Sequence, residues 1–363
     1  MSFTINTVKL QDMVSRATKG VGNNKLIPLT SLMNIELKED GTFQLITTDG
    51  TNYLYVREPK ISGDSLYVTV PADVFAKLIA RFTCENVTFT LEDNSLRVKG
   101  NGVYNIELPL DEDGNLIKYP DPVSKISKKL ESTKVNLSTV NVILNSIKPS
   151  LAVTMEEPCY TAYYVGENVL ATDTYKIASL SNVNIFDEPK LISAEYMDLL
   201  SVMSAEKIDV EYLDDIIIAD SSDCVVYGRT VEGIEDFAID AINGLVAEQS
   251  DSVCKIAKTV LLQVLDRISL FVGPYDKNAV NLTFTNEGIQ IASKATSGVE
   301  IIPYMESSKF NSFYCVIDIQ MLVQEIKAVK SDVITLYYGM DNAIKVVDDN
   351  VTIVIALLED EEI

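Results

Sequence analysis

Val70-Pro71-Ala72-Asp73-Val74-Phe75-Ala76-Lys77-Leu78-Ile79 reads as the end of a strand, a polar helix start and an amphipathic helix, and it returns twice. The second copy is Ile192-Ser193-Ala194-Glu195-Tyr196-Met197-Asp198-Leu199-Leu200, and the third is Ile317-Asp318-Ile319-Gln320-Met321-Leu322-Val323-Gln324-Glu325-Ile326. The copies start 122 and then 125 residues apart. A period of that size is a whole domain, far longer than a solenoid repeat.

Downstream of each copy lie strand-like segments rich in β-branched residues and separated by turn residues: Asn86–Leu91 with Ser95–Val98, Ile208–Leu213 with Ile216–Ala219, and Val333–Tyr338 with Ala343–Val346. Upstream, a strand runs into Thr48-Asp49-Gly50 in the first copy and Thr172-Asp173-Thr174 in the second; the third keeps the strand Ile289–Ala292 but continues Ser293-Lys294. Each unit also opens with one apolar stripe at helical spacing, over Thr7–Lys19, Ser138–Ile147 and Ala257–Phe271. The expectation is α+β: three tandem copies of a two-helix, antiparallel-sheet domain, over 1–122, 123–245 and 246–363. The joints fall at Tyr119-Pro120-Asp121-Pro122 and near Asn243-Gly244.

Composition narrows the function. With no histidine among 363 residues, Ser-His and Cys-His nucleophile pairs, a His base and a His-rich metal site are excluded. Five scattered cysteines without a CxxC pair read as reduced thiols. There is no apolar run long enough to span a bilayer and no signal-peptide plan at the start, so a cytoplasmic, non-membrane protein is expected. A formal charge of −23, divided as −4, −11 and −8 over the three units, argues against a surface that binds nucleic acid everywhere. Any contact with DNA must be local. Neither GxxxxGK[ST] nor GxGxxG occurs, and the acidic loops Asp111–Asn115 and Asp220–Asp223 lack an EF-hand pattern.

The order of these features resembles the bacterial sliding clamp family, the β subunit of DNA polymerase III. The resemblance runs over the whole chain and includes Phe3-Thr4-Ile5, Leu26-Ile27-Pro28-Leu29 before the strand Met33–Leu37, and Leu45–Gly50. Ala171-Thr172-Asp173-Thr174-Tyr175-Lys176-Ile177 stands where that family often reads A-T-D-G-H-R-L. The resemblance implies a head-to-tail homodimeric ring around duplex DNA, not an enzyme and without a cofactor or metal, that tethers DNA polymerase and clamp-loader peptides.

It also implies site residues. The helices lining the hole would present Lys9, Arg16, Lys19, Lys77, Arg81, Lys148, Lys255, Lys258, Arg267, Lys327 and Lys330, while Ala194–Ser204 offers no base. The partner-peptide pocket would use Thr172, Thr174, Tyr175, Lys176, Ile177, Phe237, Ile239, Ile242, Met321, Val354, Ile355, Ala356, Leu357 and Leu358. Tyr104, Ile106 and Leu108 would meet Leu270 and Phe271 of the second chain at the ring joint.

Departures from the family pattern bear on partner choice. Tyr175-Lys176 replaces His-Arg, Ala356 stands for Pro, and the chain runs on into Glu359-Asp360-Glu361-Glu362-Ile363. Acids beside the pocket favour peptides with basic flanks and would suit a virus-encoded clamp with its own polymerase. Two other readings stay open: a clamp-fold scaffold or decoy that does not encircle DNA, and a carboxylate–metal enzyme built on Asp214-Asp215.

Overall fold

The computed structural model describes residues 1–126, 129–273, 275, 277–293, 298–308 and 312–359. Lys294 and the tail residues 360–363 named above lie outside the described residues. The first copy runs β1 Ser2–Asn6, α1 Thr7–Ala17, β2 Leu32–Leu37, β3 Phe43–Thr48, β4 Tyr53–Glu58, β5 Leu66–Pro71, α2 Ala72–Ile79, β6 Asn86–Glu92, β7 Ser95–Lys99, β8 Val103–Glu107. The second runs β9 Glu131–Asn136, α3 Leu137–Val142, β10 Ala162–Val165, β11 Val169–Thr172, β12 Lys176–Leu180, β13 Lys190–Ser193, α4 Ala194–Leu200, β14 Lys207–Leu213, β15 Ile216–Asp220, β16 Cys224–Arg229. A linking helix, α5 Ile239–Ala247, precedes the third: β17 Ser252–Ala257, α6 Lys258–Ser269, β18 Ala279–Phe284, β19 Gly288–Ser293, β20 Val299–Pro303, β21 Glu306–Ser308, β22 Phe313–Asp318, α7 Ile319–Ala328, β23 Val333–Tyr338, β24 Ala343–Asp348, β25 Val351–Ala356.

The helices form where the stripes predict them. α1 buries Leu10, Met13, Val14 and Ala17, one face at helical spacing, and Asn6 caps its start by accepting from Lys9 N at 3.2 Å. Asp318 does the same for α7, accepting from Gln320 N at 2.7 Å and Met321 N at 3.2 Å. The opening helices end sooner than the sequence pattern. α1 tightens into a 3₁₀ turn over Thr18–Gly20, where the backbone passes so close to β3 and β4 that a Cβ on Gly20 would meet Thr47 Oγ1 at 2.5 Å. α3 widens into a π-helical turn over Ile143–Ile147.

The threefold repeat is explicit in the backbone. The first residue of each opening helix donates to the carbonyl just before each hairpin: Thr7 N to Glu85 O, Leu137 N to Glu206 O and Lys258 N to Asp332 O, each 2.9 Å. Each copy also pairs its opening strand with the first hairpin strand, β1 with β6, β9 with β14 and β17 with β23, all antiparallel.

Strands of different copies then join. β4 pairs with β16, completing the sheet β5-β2-β3-β4-β16-β15-β14-β9, and β12 pairs with β25, completing β13-β10-β11-β12-β25-β24-β23-β17-β21. Two half-sheets remain, β1-β6-β7-β8 and β20-β19-β18-β22. Two compact units result: residues 1–140 with 195–230, and residues 141–194 with 231–363. The middle copy therefore contributes one of its sheets to each unit.

Candidate functional site

In the second unit the seam between β12 and β25 sits beside the turn Thr172–Lys176. Thr172 Oγ1 accepts from Thr174 N at 3.0 Å, and Asp173 Oδ1 accepts from Tyr175 N at 3.0 Å and Lys176 N at 2.9 Å. This frame holds Thr174 at φ +76°, a region a β-branched side chain avoids. It also turns Tyr175 outward, 62% exposed, and Lys176 inward, 4% exposed.

The Lys176 ammonium reaches α7 and the segment before β10. It donates to Gln324 Oε1 at 2.9 Å and to the Pro149 carbonyl, and lies 3.2 Å from Glu325 Oε1 and 3.7 Å from Asp173 Oδ2. Glu325 is wholly buried; burial pushes its carboxyl above the ordinary range, against the pull of Lys176. A buried charge pair of this kind holds because each partner compensates the other's lost hydration.

Seam register places Lys176 opposite Ile355 and Ile177 opposite Val354. Around it Cys159, Ala162, Leu170, Ile177, Leu191, Phe237, Ile242, Ala343 and Val354 form one buried apolar cluster, with Tyr160, Tyr164, Ile234, Ile239 and Val246 packed against it. The Phe237 ring stacks on Tyr164 at 5.0 Å and tilts against Tyr160 at 5.6 Å. Lys345 secures the end of α5, where helix carbonyls lack partners: its ammonium donates to Val246 O at 3.3 Å and to Glu248 O, and lies over the Tyr337 ring. At the end of β25 and just past it, three successive amides anchor on three segments: Ala356 N on Tyr175 O, Leu357 N on Asn342 O and Leu358 N on Val316 O, each 2.8 Å.

The structure thus brings Ile177, Phe237, Ile242 and Val354 into one cluster. Thr172, Lys176 and Ile355 are buried beside it as walls, while Thr174, Tyr175, Ala356, Leu357 and Leu358 keep accessible surface. Met321 is half-buried on α7. Sequence reading missed Tyr160, Tyr164, Ala343 and Glu325. Tyr160 lies in the 3₁₀ turn Pro158–Thr161 before β10, whereas the alternation Ala162-x-Tyr164 was a usable signal for a shared strand face. So was an acid, Glu325, inside the apolar stripe Ile319, Leu322, Ile326.

Among the lining cations named from the sequence, Lys19 and Arg81 in the first unit and Lys327 and Lys330 in the second are exposed, and no ion pair joins them to a described residue. Others are committed. Lys9 pairs with Glu58 at 2.6 Å, Lys77 with Asp73 at 2.7 Å, Lys255 with Glu306 at 2.7 Å, and Arg267 grips both oxygens of Glu300 at 2.7 and 2.6 Å. Arg16 is a structural tie, bonded to Asp223 and donating to Val202 O at 2.9 Å. Lys258 donates to Lys327 O at 3.3 Å and to Val329 O, satisfying the last carbonyls of α7. Lys148 is half-buried and partnered.

For the ring joint, Tyr104 is exposed on β8, whereas Ile106 and Leu108 are buried within their own unit. Leu270 and Phe271 are exposed just after α6, and the end strand β20 carries Val299 and Ile301, half-exposed at 51% and 52%. Among the described residues no His, Cys, Asp or Glu group gathers at metal-binding spacing, and Asp215 pairs with Arg229 at 2.8 Å. No described helix is long and apolar enough to cross a membrane.

No protein-family model matches the chain, and no curated protein matches it in sequence. Solved structures do match it end to end. The DNA polymerase sliding clamp of Bacillus subtilis superposes with a TM-score of 0.84 at 17% identity, covering 99% of both chains. The polymerase β subunit of Streptococcus pyogenes gives 0.85 at 14% identity, over 99% of this chain and 100% of that one. The DNA polymerase III β subunit of Thermotoga maritima gives 0.83 at 15% identity over 99% of each. Identity so low with superposition so complete is a statement about the fold, and the fold of this chain is that of the bacterial sliding clamps, the β subunits of DNA polymerase III.

Proposed function

We propose that this chain is a DNA sliding clamp: two copies close head to tail around duplex DNA and tether a polymerase and a clamp loader through the surface at the β12–β25 seam. The observation that carries the reading is the pattern of strand edges. Within the chain the outer strand of one copy's sheet joins the last hairpin strand of the next copy, β4 with β16 and β12 with β25. By the same rule β20 of the third copy calls for β8 of a first copy, which only another chain can offer. An exposed edge with apolar side chains such as Val299, Ile301, Val103 and Tyr104 is a pairing site that a folded protein must cover. The three domains, 1–122, 123–245 and 246–363, follow the repeat, and each joint is then one strand pair.

Ile301→Asp and Tyr104→Asp test this. Both side chains are accessible, so each variant should fold and sediment as a monomer where the parent is a dimer; a variant that stays dimeric removes the β8–β20 joint. Ile106→Asp is a poor probe, because Ile106 is buried and its loss would unfold the first unit.

The cations assigned to the hole need only avoid repelling phosphates, and Lys19, Arg81, Lys327 and Lys330 are the exposed set that would do so. A second reading, a scaffold that binds partner peptides without encircling DNA, draws on the engagement of Lys9, Lys77, Lys255 and Arg267 with acids. Salt-resistant retention on circular DNA separates the two.

A further inference from the structure

The two linkers that follow the hairpin sheets differ in charge. In the first linker, Ile117, Tyr119, Val123, Ile126 and Leu130 pack over the β4–β16 seam, and the sequence 109–130 mixes acids with Lys118, Lys125, Lys128 and Lys129. Residues 230–250, which cover the β12–β25 seam, hold Glu232, Glu235, Asp236, Asp240 and Glu248 and no Lys or Arg. Two lysines that lie near this second seam by sequence are turned inward: Lys176 onto Glu325 and Gln324, Lys345 onto the end of α5. The nearby acids face out. Glu157, Asp236 and Asp240 are exposed.

Their charge reaches the buried apolar cluster and the half-buried tyrosine packed on it. Burial pushes the Cys159 thiol up, and Asp236 and Glu157 push it further; burial raises the Tyr164 hydroxyl, and Asp240 adds to it. Tyr160 OH donates to the main-chain oxygen of Asp236 at 3.5 Å, which fixes that acid beside the aromatic stack. Tyr160, Tyr164, Leu357 and Leu358 keep accessible surface here, Lys190 is half-buried beside Leu191, and an apolar patch whose exposed charges are acidic favours a ligand of the opposite sign.

We infer that the partner of this surface is a linear segment whose apolar anchor is flanked by Lys or Arg, and that Glu157, Asp236 and Asp240 supply the selection. The inference rests on the docking reading given above and adds to it the chemistry of the partner. It does not use the tail beyond Glu359. The cost of the device falls on acidic-flanked segments, which meet like charge at the rim.

The experiment measures binding of fluorescent peptides to the full chain by anisotropy. Four probes suffice: a Leu-Ser-Leu-Phe core flanked on both sides by Lys-Lys, by Ser-Ser or by Glu-Glu, and a Lys-flanked Ser-Ser-Ser-Ser peptide that reports general attraction to a chain of charge −23. Expected is about a tenfold preference for Lys over Glu flanks at low salt, shrinking in 0.5 M salt. The combined variant Glu157→Gln, Asp236→Asn, Asp240→Asn should bring that ratio close to one while leaving the Ser-flanked peptide's affinity unchanged. Equal binding of all three core peptides, a ratio that survives the triple variant, or equal binding of the core-less basic peptide would overturn the inference while leaving docking intact. If the Ser-flanked core fails to bind and Leu358→Ala alters no probe, the docking reading itself falls.

Discussion

The two inter-copy seams are built on one plan and finished in different chemistry. At β4–β16 the turn Thr48–Asn52 repeats the bonds of Thr172–Lys176: Thr48 Oγ1 accepts from Gly50 N at 3.0 Å and Asp49 Oδ1 from Thr51 N and Asn52 N at 2.8 and 2.7 Å. There the left-handed position is Gly50, and Asn52 keeps its side chain at home on Asp49 Oδ2. The linker above is locked by tyrosines: Tyr119 OH donates to Leu32 O at 3.2 Å, Tyr67 OH to Tyr119 O at 3.2 Å, and Tyr55 OH to Asp121 Oδ1 at 2.8 Å. At β12–β25 the same positions hold Thr174 and Lys176, and the linker seals with the Phe237 stack. The first seam is closed by directional bonds; the second is held beneath by a buried charge pair and sealed above by apolar and aromatic packing.

Breaking the charge pair should have the largest effect. Lys176→Ala leaves Glu325 buried without its cation and should cost about 3–5 kcal/mol in denaturant unfolding, whereas the double change Lys176→Met, Glu325→Leu should recover most of it. Additive losses would show that the two groups do not support one another. Phe237→Ala should cost about 3–5 kcal/mol as a large-to-small change in a packed cluster, against about 0.5–1.5 kcal/mol for Tyr119→Phe at the first seam, which removes one hydrogen bond.

Exchanging the turn residues sharpens the comparison further. Thr174→Gly relieves the left-handed threonine and should stabilise by about 1 kcal/mol, while Gly50→Thr should cost about 1–3 kcal/mol. A Cβ at Gly50 also meets Ile27 Cδ1 at 3.3 Å. Opposite outcomes in thermal melts would mean that the two turns are not equivalent.

The smallest effect is in pH, and it has opposite signs in the two units. Glu325 has a raised carboxyl, so its contribution is fullest below the ordinary value of 4.5 and is lost as pH rises through its folded pKa. For Asp223, burial acts to raise the carboxyl, but hydrogen bonds from Ser204 and Ser221 and the charge of Arg16 prevail and hold it low; its contribution is present above 3.8 and lost as pH falls through the folded pKa. Relative to Glu325→Gln, the parent should lose stability as pH rises above 4.5. Relative to Asp223→Asn, it should lose stability as pH falls below 3.8.

How much of this was legible in sequence follows from where each feature is encoded. Amphipathic stripes and strand alternation are local, so the repeated helices and the hairpins 333–338 with 343–346 stand where periodicity puts them. The turn Thr172–Lys176 was legible because Thr-Asp supplies its own capping oxygens. The direction of Lys176 was not, since it depends on Glu325 and Pro149, distant in the chain. Nor was the burial of Ile106, which the alternation Tyr104, Ile106, Leu108 leaves undecided until the strand finds its sheet. The family resemblance implied a lining role for Arg16 and Lys258, yet their side chains are taken up by partners from other elements of their units, Asp223 for Arg16 and the Lys327 and Val329 carbonyls for Lys258.

The central claim is topological, and retention on DNA tests it most directly. The protein would be loaded on nicked circular DNA with a competent clamp loader, washed at high salt, and followed after the circle is cut once. Retention on the intact circle and release on linearisation is the predicted result. A chain that never stays on the circle, or that remains on the linear product equally well, would contradict the clamp reading and leave a peptide-binding scaffold in its place.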